Sequence, residues 1–158
     1  MSKSHVIRLK PLAVCLLIPL AIGGAAAFLT KGNMDIYQDI NKPFLSPPGI
    51  VFPIVWTILY LLMGISSYWV YNSNSEETGK ALLLYGAQLI FNFFWPILFF
   101  NLQNFLLSFF CLAILWILIL FMTAAFSKAD KKAAYLQIPY FLWVTFAGYL
   151  NLSIYFMN

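Results

Sequence analysis

Residues 41–60 read NKPFLSPPGIVFPIVWTILY, and Pro43, Pro47, Pro48 and Pro53 fall within eleven positions before the chain becomes continuously apolar. Proline has no N–H to give a helix and biases the residue before it toward extended backbone. The first three prolines therefore predict a stiff extended strap, and a helix that starts no earlier than Pro48. Pro53 lies in the first turns of that helix, where its missing donor is expected to leave the Gly49 carbonyl without a helical partner and to bend the axis. From about residue 49 to 71 the chain is apolar for long enough to cross hydrocarbon about 30 Å thick. The strap ends at a membrane span.

Composition extends this reading to the whole chain. Of 158 residues, 63% are hydrophobic and 9% charged, against roughly 25% charged in soluble domains. Four further stretches, about 11–30, 79–100, 104–126 and 133–155, match the length of a span. The expectation is an all-α integral membrane protein, a bundle of five transmembrane helices forming one membrane domain over 1–158, with loop 31–48 as a lid. The basic stretch from Lys3 to Lys10 leads into the first span without a cleavage site, so that span is read as a helix and not as a removed signal. Lys3, Arg8, Lys10, Lys80, Lys128, Lys131 and Lys132 lie on the N-terminal side, and Lys31 and Lys42 on the other. This bias places the N-terminus in the cytoplasm of a multi-pass cell-membrane protein, with loop 31–48 and the C-terminus outside. These residues flank spans and form no stripe, so the net charge of +4 does not point to a nucleic-acid partner.

The interiors of the spans carry no Asp, Glu, Lys, Arg or His, which argues against an ion-coupled pump. The single histidine, His5, sits near the N-terminus, so no imidazole at depth is available to a haem iron and no metal site is expected. Cys15 and Cys111 lie in different spans and read as small packing residues. What the spans do carry is aromatic: 5 Trp, 16 Phe and 9 Tyr in the chain. Phe52, Trp56, Tyr60 and Met63 share one helical face; Gln88, Asn92, Trp95 and Phe99 share another; Pro139, Trp143, Phe146, Ala147 and Leu150 share a third. At about 1.5 Å per residue, Trp56 lies ~10 Å from its span end, Trp95 ~8 Å and Asn92 ~12 Å. Trp56, Trp95 and Trp143, with Gln88 and Asn92, are expected to line one cavity in the outer half of the bundle, under loop 31–48. Trp69, near a span end, reads as an interfacial belt residue, and Trp116, at mid-span, as packing. Small residues such as Gly23 and Ala27 read as a helix-packing seam, available for dimerisation.

Three separated motifs carry a resemblance. The run KPFLSPP followed by F-P-x-V-W-T-x-L-Y and M-G (Lys42 to Gly64), then Q-L-x-x-N-x-x-W (from Gln88), then P-Y-x-x-W-x-x-F-A-x-x-L-N (Pro139 to Asn151) resembles the translocator protein family, also called tryptophan-rich sensory proteins (TspO) or peripheral benzodiazepine receptors. The resemblance implies a five-helix bundle, commonly a homodimer. It further implies a pocket for porphyrins such as protoporphyrin IX and for isoquinoline or benzodiazepine-type ligands, with light- and oxygen-dependent porphyrin breakdown in some bacterial members. It places that pocket at Tyr37, Trp56, Gln88, Asn92, Trp95, Cys111, Trp143, Phe146 and Ala147. Two positions depart from the family pattern. Ile36 stands where many members carry a tryptophan, and the C-terminal Tyr155-Phe156-Met157-Asn158 lacks the basic residue of the sterol-recognition pattern.

A pocket without acid, base, metal ligand or activated nucleophile has no machinery for hydrolysis or group transfer. Its flat walls suit a tetrapyrrole as ligand or substrate, with no cofactor required. An illuminated porphyrin sensitises oxygen by itself and needs only an oxidisable indole beside it, for which Trp56 and Trp143 are the candidates. A transporter of tetrapyrroles or other lipophiles is the alternative, and a bare interaction scaffold a third reading.

Overall fold

The computed structural model describes residues 6–158; Lys3 and His5 lie outside the described residues. Five segments are long and apolar enough to cross a membrane, and no strand occurs among the described residues. In a bilayer this is the expected outcome, because a helix satisfies its backbone N–H and C=O groups within one segment. The elements are α1 (Leu9–Thr30), α2 (Ile36–Asp39), α3 (Val51–Tyr71), α4 (Thr78–Pro96), α5 (Phe105–Ala129), α6 (Lys131–Tyr135) and α7 (Ile138–Met157).

The helices form a ring. Helix α1 packs on α3 and α4, α4 on α5, and α5 on α7, while α6 closes the ring against α3. The closure is made partly by Ser66, whose hydroxyl donates to the Ala133 carbonyl at 2.8 Å. Met63, Leu115, Ile119, Met122 and Phe126 are fully buried at the ring's centre, whereas Leu17, Leu83 and Phe121 stay exposed as lipid-facing groups.

The boundaries depart from the sequence reading in four places. The last span, expected as one helix over 133–155, is divided: α6 ends at Tyr135 and α7 begins afresh at Ile138. Pro139 explains the break, since it cannot donate to the Tyr135 carbonyl and is tolerated in the first turn of a new helix. Loop 31–48 is not extended throughout, because hydrogen-bonded turns and the single helical turn α2 precede the proline strap. Pro53 falls in the first turn of α3, where a helix needs no N–H partner; the Gly49 carbonyl accepts instead from the Phe52 N–H at 3.3 Å. The third span ends in a π-helical turn, Ile97–Asn101. Gln103 then turns the chain with φ 51, a left-handed conformation uncommon outside glycine.

The tightest helix contact joins α1 to α3. A Cβ at Gly64 would stand 2.8 Å from the Leu16 Cα and 2.9 Å from the Cys15 carbonyl oxygen, both backbone atoms. Gly64→Ala must push the two helices apart, and overpacking of this kind costs about 1–3 kcal/mol. Thermal unfolding in detergent is expected to show a lower midpoint for Gly64→Ala; an unchanged midpoint would mean that α1 is loosely held.

Candidate functional site

A cavity of about 660 Å³ opens between α1, α3 and α4 beneath loop 31–48. Its aromatic side comes from Phe52, Trp56 and Tyr60 on α3, from Trp95 near the end of α4 and from Phe100 in the π-helical turn that follows. Helix α1 supplies the opposite side with Gly23, Ala26, Ala27 and Thr30, whose small side chains leave the space that the rings face. The loop adds Met34, Asp35, Tyr37 and Gln38.

Trp56 is the hub of the aromatic wall. It stacks on Tyr60 with centroids 5.6 Å apart and planes 28° from parallel, lies 6.3 Å from Trp95, and meets Tyr140 edge-on at 6.1 Å. Offset and edge contacts of this kind add ~0.5–1.5 kcal/mol per pair beyond burial. Trp95 is anchored from behind: its indole N–H donates to Asn151 Oδ1 at 2.9 Å, which also accepts from Ser108 Oγ at 3.0 Å.

The floor is a chain of polar side chains. Tyr60 donates to Asn92 Oδ1 at 2.8 Å, Asn92 Nδ2 donates to the Tyr140 hydroxyl at 2.8 Å, and Tyr140 donates to Gln88 Oε1 at 2.6 Å. Gln88 is fully buried, and its amide nitrogen faces Met63 Sδ at 4.0 Å. The chain joins α3, α4 and α7 and closes the cavity toward the middle of the bundle.

The roof is loop 31–48. Tyr37 is buried, donates to the Pro47 carbonyl at 2.9 Å and packs edge-on against Phe52 at 5.1 Å. Burial raises the pKa of its phenol above the ordinary value. Lys42 spends its ammonium on the backbone carbonyls of Tyr37, Gln38 and Ile40, and lies 4.8 Å above the Tyr37 ring. Side-chain amides hold the loop's ends: Asn33 donates to Asn101 Oδ1 at 2.9 Å, and Asn41 and Asn158 exchange hydrogen bonds, both at 2.9 Å.

The residues expected in one pocket are thus distributed over several layers. Tyr37, Trp56, Asn92 and Trp95 border the cavity. Gln88 lies below it as the last member of the floor chain. Trp143 stands behind Phe52, at 5.7 Å, with the Phe146 ring tilted against it at 5.7 Å, and the Trp143 indole nitrogen has no hydrogen-bond partner among the described residues. Ala147 borders a separate space of about 20 Å³ shared with Tyr37, Phe52 and Trp95. Cys111 is buried between helices, with its Sγ 3.5 Å from the Phe91 carbonyl oxygen. Cys111 and Cys15 are both free thiols. Of the three tryptophans and two amides expected there, Trp56, Trp95 and Asn92 face the cavity, and Gln38 of the loop adds a second amide that the sequence reading did not include.

The sequence reading gave α1 no place in the pocket, because its wall is made of small residues without chemistry. The signal was the recurrence of small side chains at 23, 26, 27 and 30, which share one helical face. Gly23 belongs to an intramolecular contact: a Cβ there would come within 2.2 Å of the Tyr60 ring. Trp116 does pack as expected, with its N–H on Thr145 Oγ1 at 2.8 Å and its ring 5.0 Å from Phe141. Trp69 is half-buried against the core.

An all-α bundle of membrane-length helices with an aromatic cavity roofed by its first long loop is consistent with a membrane receptor or sensor. The profile of the TspO/MBR family matches residues 15–157. The chain is 36% identical to the tryptophan-rich protein TspO of Chlorobaculum tepidum over 154 residues, covering 96% of this chain and 98% of that one. It is 35% identical to the tryptophan-rich sensory protein of Cereibacter sphaeroides over 143 residues, 88% of each chain. It is 32% identical to the translocator protein of Bos taurus over 139 residues, covering 85% of this chain and 82% of that one. The chain belongs to the TspO/MBR family.

Because the Tyr60 ring rests against the α1 backbone, Gly23→Ala should drive the ring toward the cavity and break its bond to Asn92. The expected result is a folded protein destabilised by about 1–3 kcal/mol with weakened ligand affinity, read from thermal unfolding and ligand titration. Wild-type values in both assays would show that Tyr60 does not shape the cavity.

Proposed function

We propose that the protein is a membrane receptor or sensor that binds porphyrins, protoporphyrin IX in the first place, and flat isoquinoline or benzodiazepine-type ligands, and that it promotes oxidative degradation of a bound porphyrin under light. The observation that carries this reading is the cavity of about 660 Å³ walled by Trp56, Tyr60 and Trp95. Its size lies within the ~300–1,000 Å³ of small-molecule sites, and its few convergent polar groups are typical of them. The family relationship and the printed name "tryptophan-rich sensory protein" of one relative support the same reading.

The chemistry belongs to the ligand. A photoexcited porphyrin transfers energy to dioxygen, which adds across a methine carbon–carbon double bond. That bond opens to two carbonyls, both oxygen atoms are retained and no external electron donor is consumed. The protein holds the macrocycle flat, keeps water away and places the Trp56 indole, an oxidisable side chain of the wall, against it. Trp143 would act one layer further out, through Phe52. Transport is the alternative reading. The closed Tyr60–Asn92–Tyr140–Gln88 floor favours a one-ended binding site over a passage, and net porphyrin flux into sealed proteoliposomes would reverse that preference.

Trp56→Phe keeps a flat apolar face, so affinity for protoporphyrin should fall less than tenfold, about 1 kcal/mol. The Soret shift on binding should persist while its decay under light slows severalfold, with a smaller effect for Trp143→Phe. Wild-type decay in both variants would reduce the indoles to walls and the protein to a receptor. The orientation proposed from the charge bias is testable in a cysteine-free background. Gly32→Cys should react with an impermeant thiol reagent in intact cells and Ser127→Cys should not; the opposite pattern would invert the protein.

A further inference from the structure

The cavity's border contains one formally charged residue, Asp35, at the loop end. Its side chain does not cap α2, the helical turn it precedes, so the carboxylate is not committed to that helix. The neighbouring cations are otherwise engaged. Lys42 is held by three backbone carbonyls and the face of Tyr37, and Lys31 lies 4.2 Å over the exposed Phe28 ring; neither borders the cavity. Asp39, the other acidic residue of the loop, does not border it either. Asp35 itself is exposed, and the rings of Tyr37, Phe52, Trp56 and Trp95 border the same cavity. A carboxylate at the mouth of an aromatic enclosure is the arrangement that recognises organic cations, because ring faces and carboxylate both attract positive charge. The same arrangement repels a carboxylated ligand.

We propose that Asp35 sets the charge preference of this cavity, which favours flat ligands carrying an ammonium or other cationic group at the loop end and disfavours those carrying carboxylates there. The proposal rests on the cavity being the ligand site. It refines the porphyrin reading: protoporphyrin IX enters with its propionates turned away from Asp35, and the same macrocycle with esterified or amidated propionates, or with an amine, binds more tightly. Asp35 is then a specificity-determining residue that leaves the aromatic body of the ligand to Trp56 and Trp95.

The test holds the macrocycle constant and changes its charge. Protoporphyrin as its free diacid, as its dimethyl ester and as its bis-amide with ethylenediamine is titrated into the protein in nanodiscs of neutral phosphatidylcholine, with empty nanodiscs as the control. Affinity should rise from diacid to ester to bis-amide, by roughly fivefold per step, the size expected of one partly exposed charge contact. Raising the salt from about 0.01 M to about 0.5 M should compress the series. Asp35→Asn should flatten it, Asp35→Glu should keep it, and Asp35→Lys should reverse it. A second pair, 9-aminoacridine (cationic at neutral pH) against uncharged acridine, reads the same contrast on a smaller flat body. If no porphyrin binds but the acridine contrast is present and vanishes in Asp35→Asn, the tetrapyrrole reading fails and the charge preference stands. A series of the same slope in wild type and Asp35→Asn, or no contrast in either ligand set, overturns the role of Asp35.

Discussion

The hydrogen-bond chain Tyr60–Asn92–Tyr140–Gln88 is the constraint on which the rest of the bundle rests. Apolar packing alone leaves membrane helices free to slide and rotate, since lipid and neighbouring side chains are equally apolar. An amide without a partner in such surroundings costs several kcal/mol, so each of these side chains is confined to the register in which its bond forms. Helices α3, α4 and α7 are thereby fixed at one level. The cavity begins where the chain stops: Tyr60 and Asn92 present their other sides to it. Gly23 belongs to the same device, because only a residue without a side chain lets α1 approach the Tyr60 ring.

A second polar cluster does for the loop end what the first does for the middle. Asn151 on α7 accepts from Trp95 on α4 and Ser108 on α5, and donates to the Phe105 carbonyl at 2.7 Å. Trp95 is therefore oriented by its N–H, and its ring is left for the cavity. Above it, a loop tied at Asn33, Tyr37, Lys42 and Asn41 has little conformational entropy left to lose when a ligand enters beneath it. The three prolines before α3 contribute to that stiffness through their fixed φ. Rigid walls and a rigid roof suit recognition of a rigid planar molecule, and they place the burden of discrimination on the few groups at the rim.

The amino-acid sequence by itself determined that the chain has five segments long and apolar enough to cross a membrane, because span length and the cost of burying charge in hydrocarbon are properties of local composition. It also determined that Trp56, Asn92 and Trp95 lie at similar depth on inward faces, because helical periodicity fixes face and rise fixes depth. The proline strap was legible from local backbone chemistry, and the loop tyrosine, Tyr37, only through the family resemblance. Only the tertiary structure decided which inward residues meet the open space. Trp143, Phe146 and Ala147 share an inward face, yet Trp143 stands behind Phe52 with Phe146 beyond it, and Ala147 borders a separate space; Cys111, placed in the pocket by the resemblance alone, faces the Phe91 carbonyl instead. Periodicity says which way a side chain points and says nothing about what fills the space in front of it. The small-residue wall of α1 and the position of Asp35 at the rim were likewise hidden, since both depend on how close two helices come and on where a loop folds back. Those outcomes are set by contacts between residues far apart in the chain, Gly23 with Tyr60 and Tyr37 with Phe52, and no local pattern encodes them.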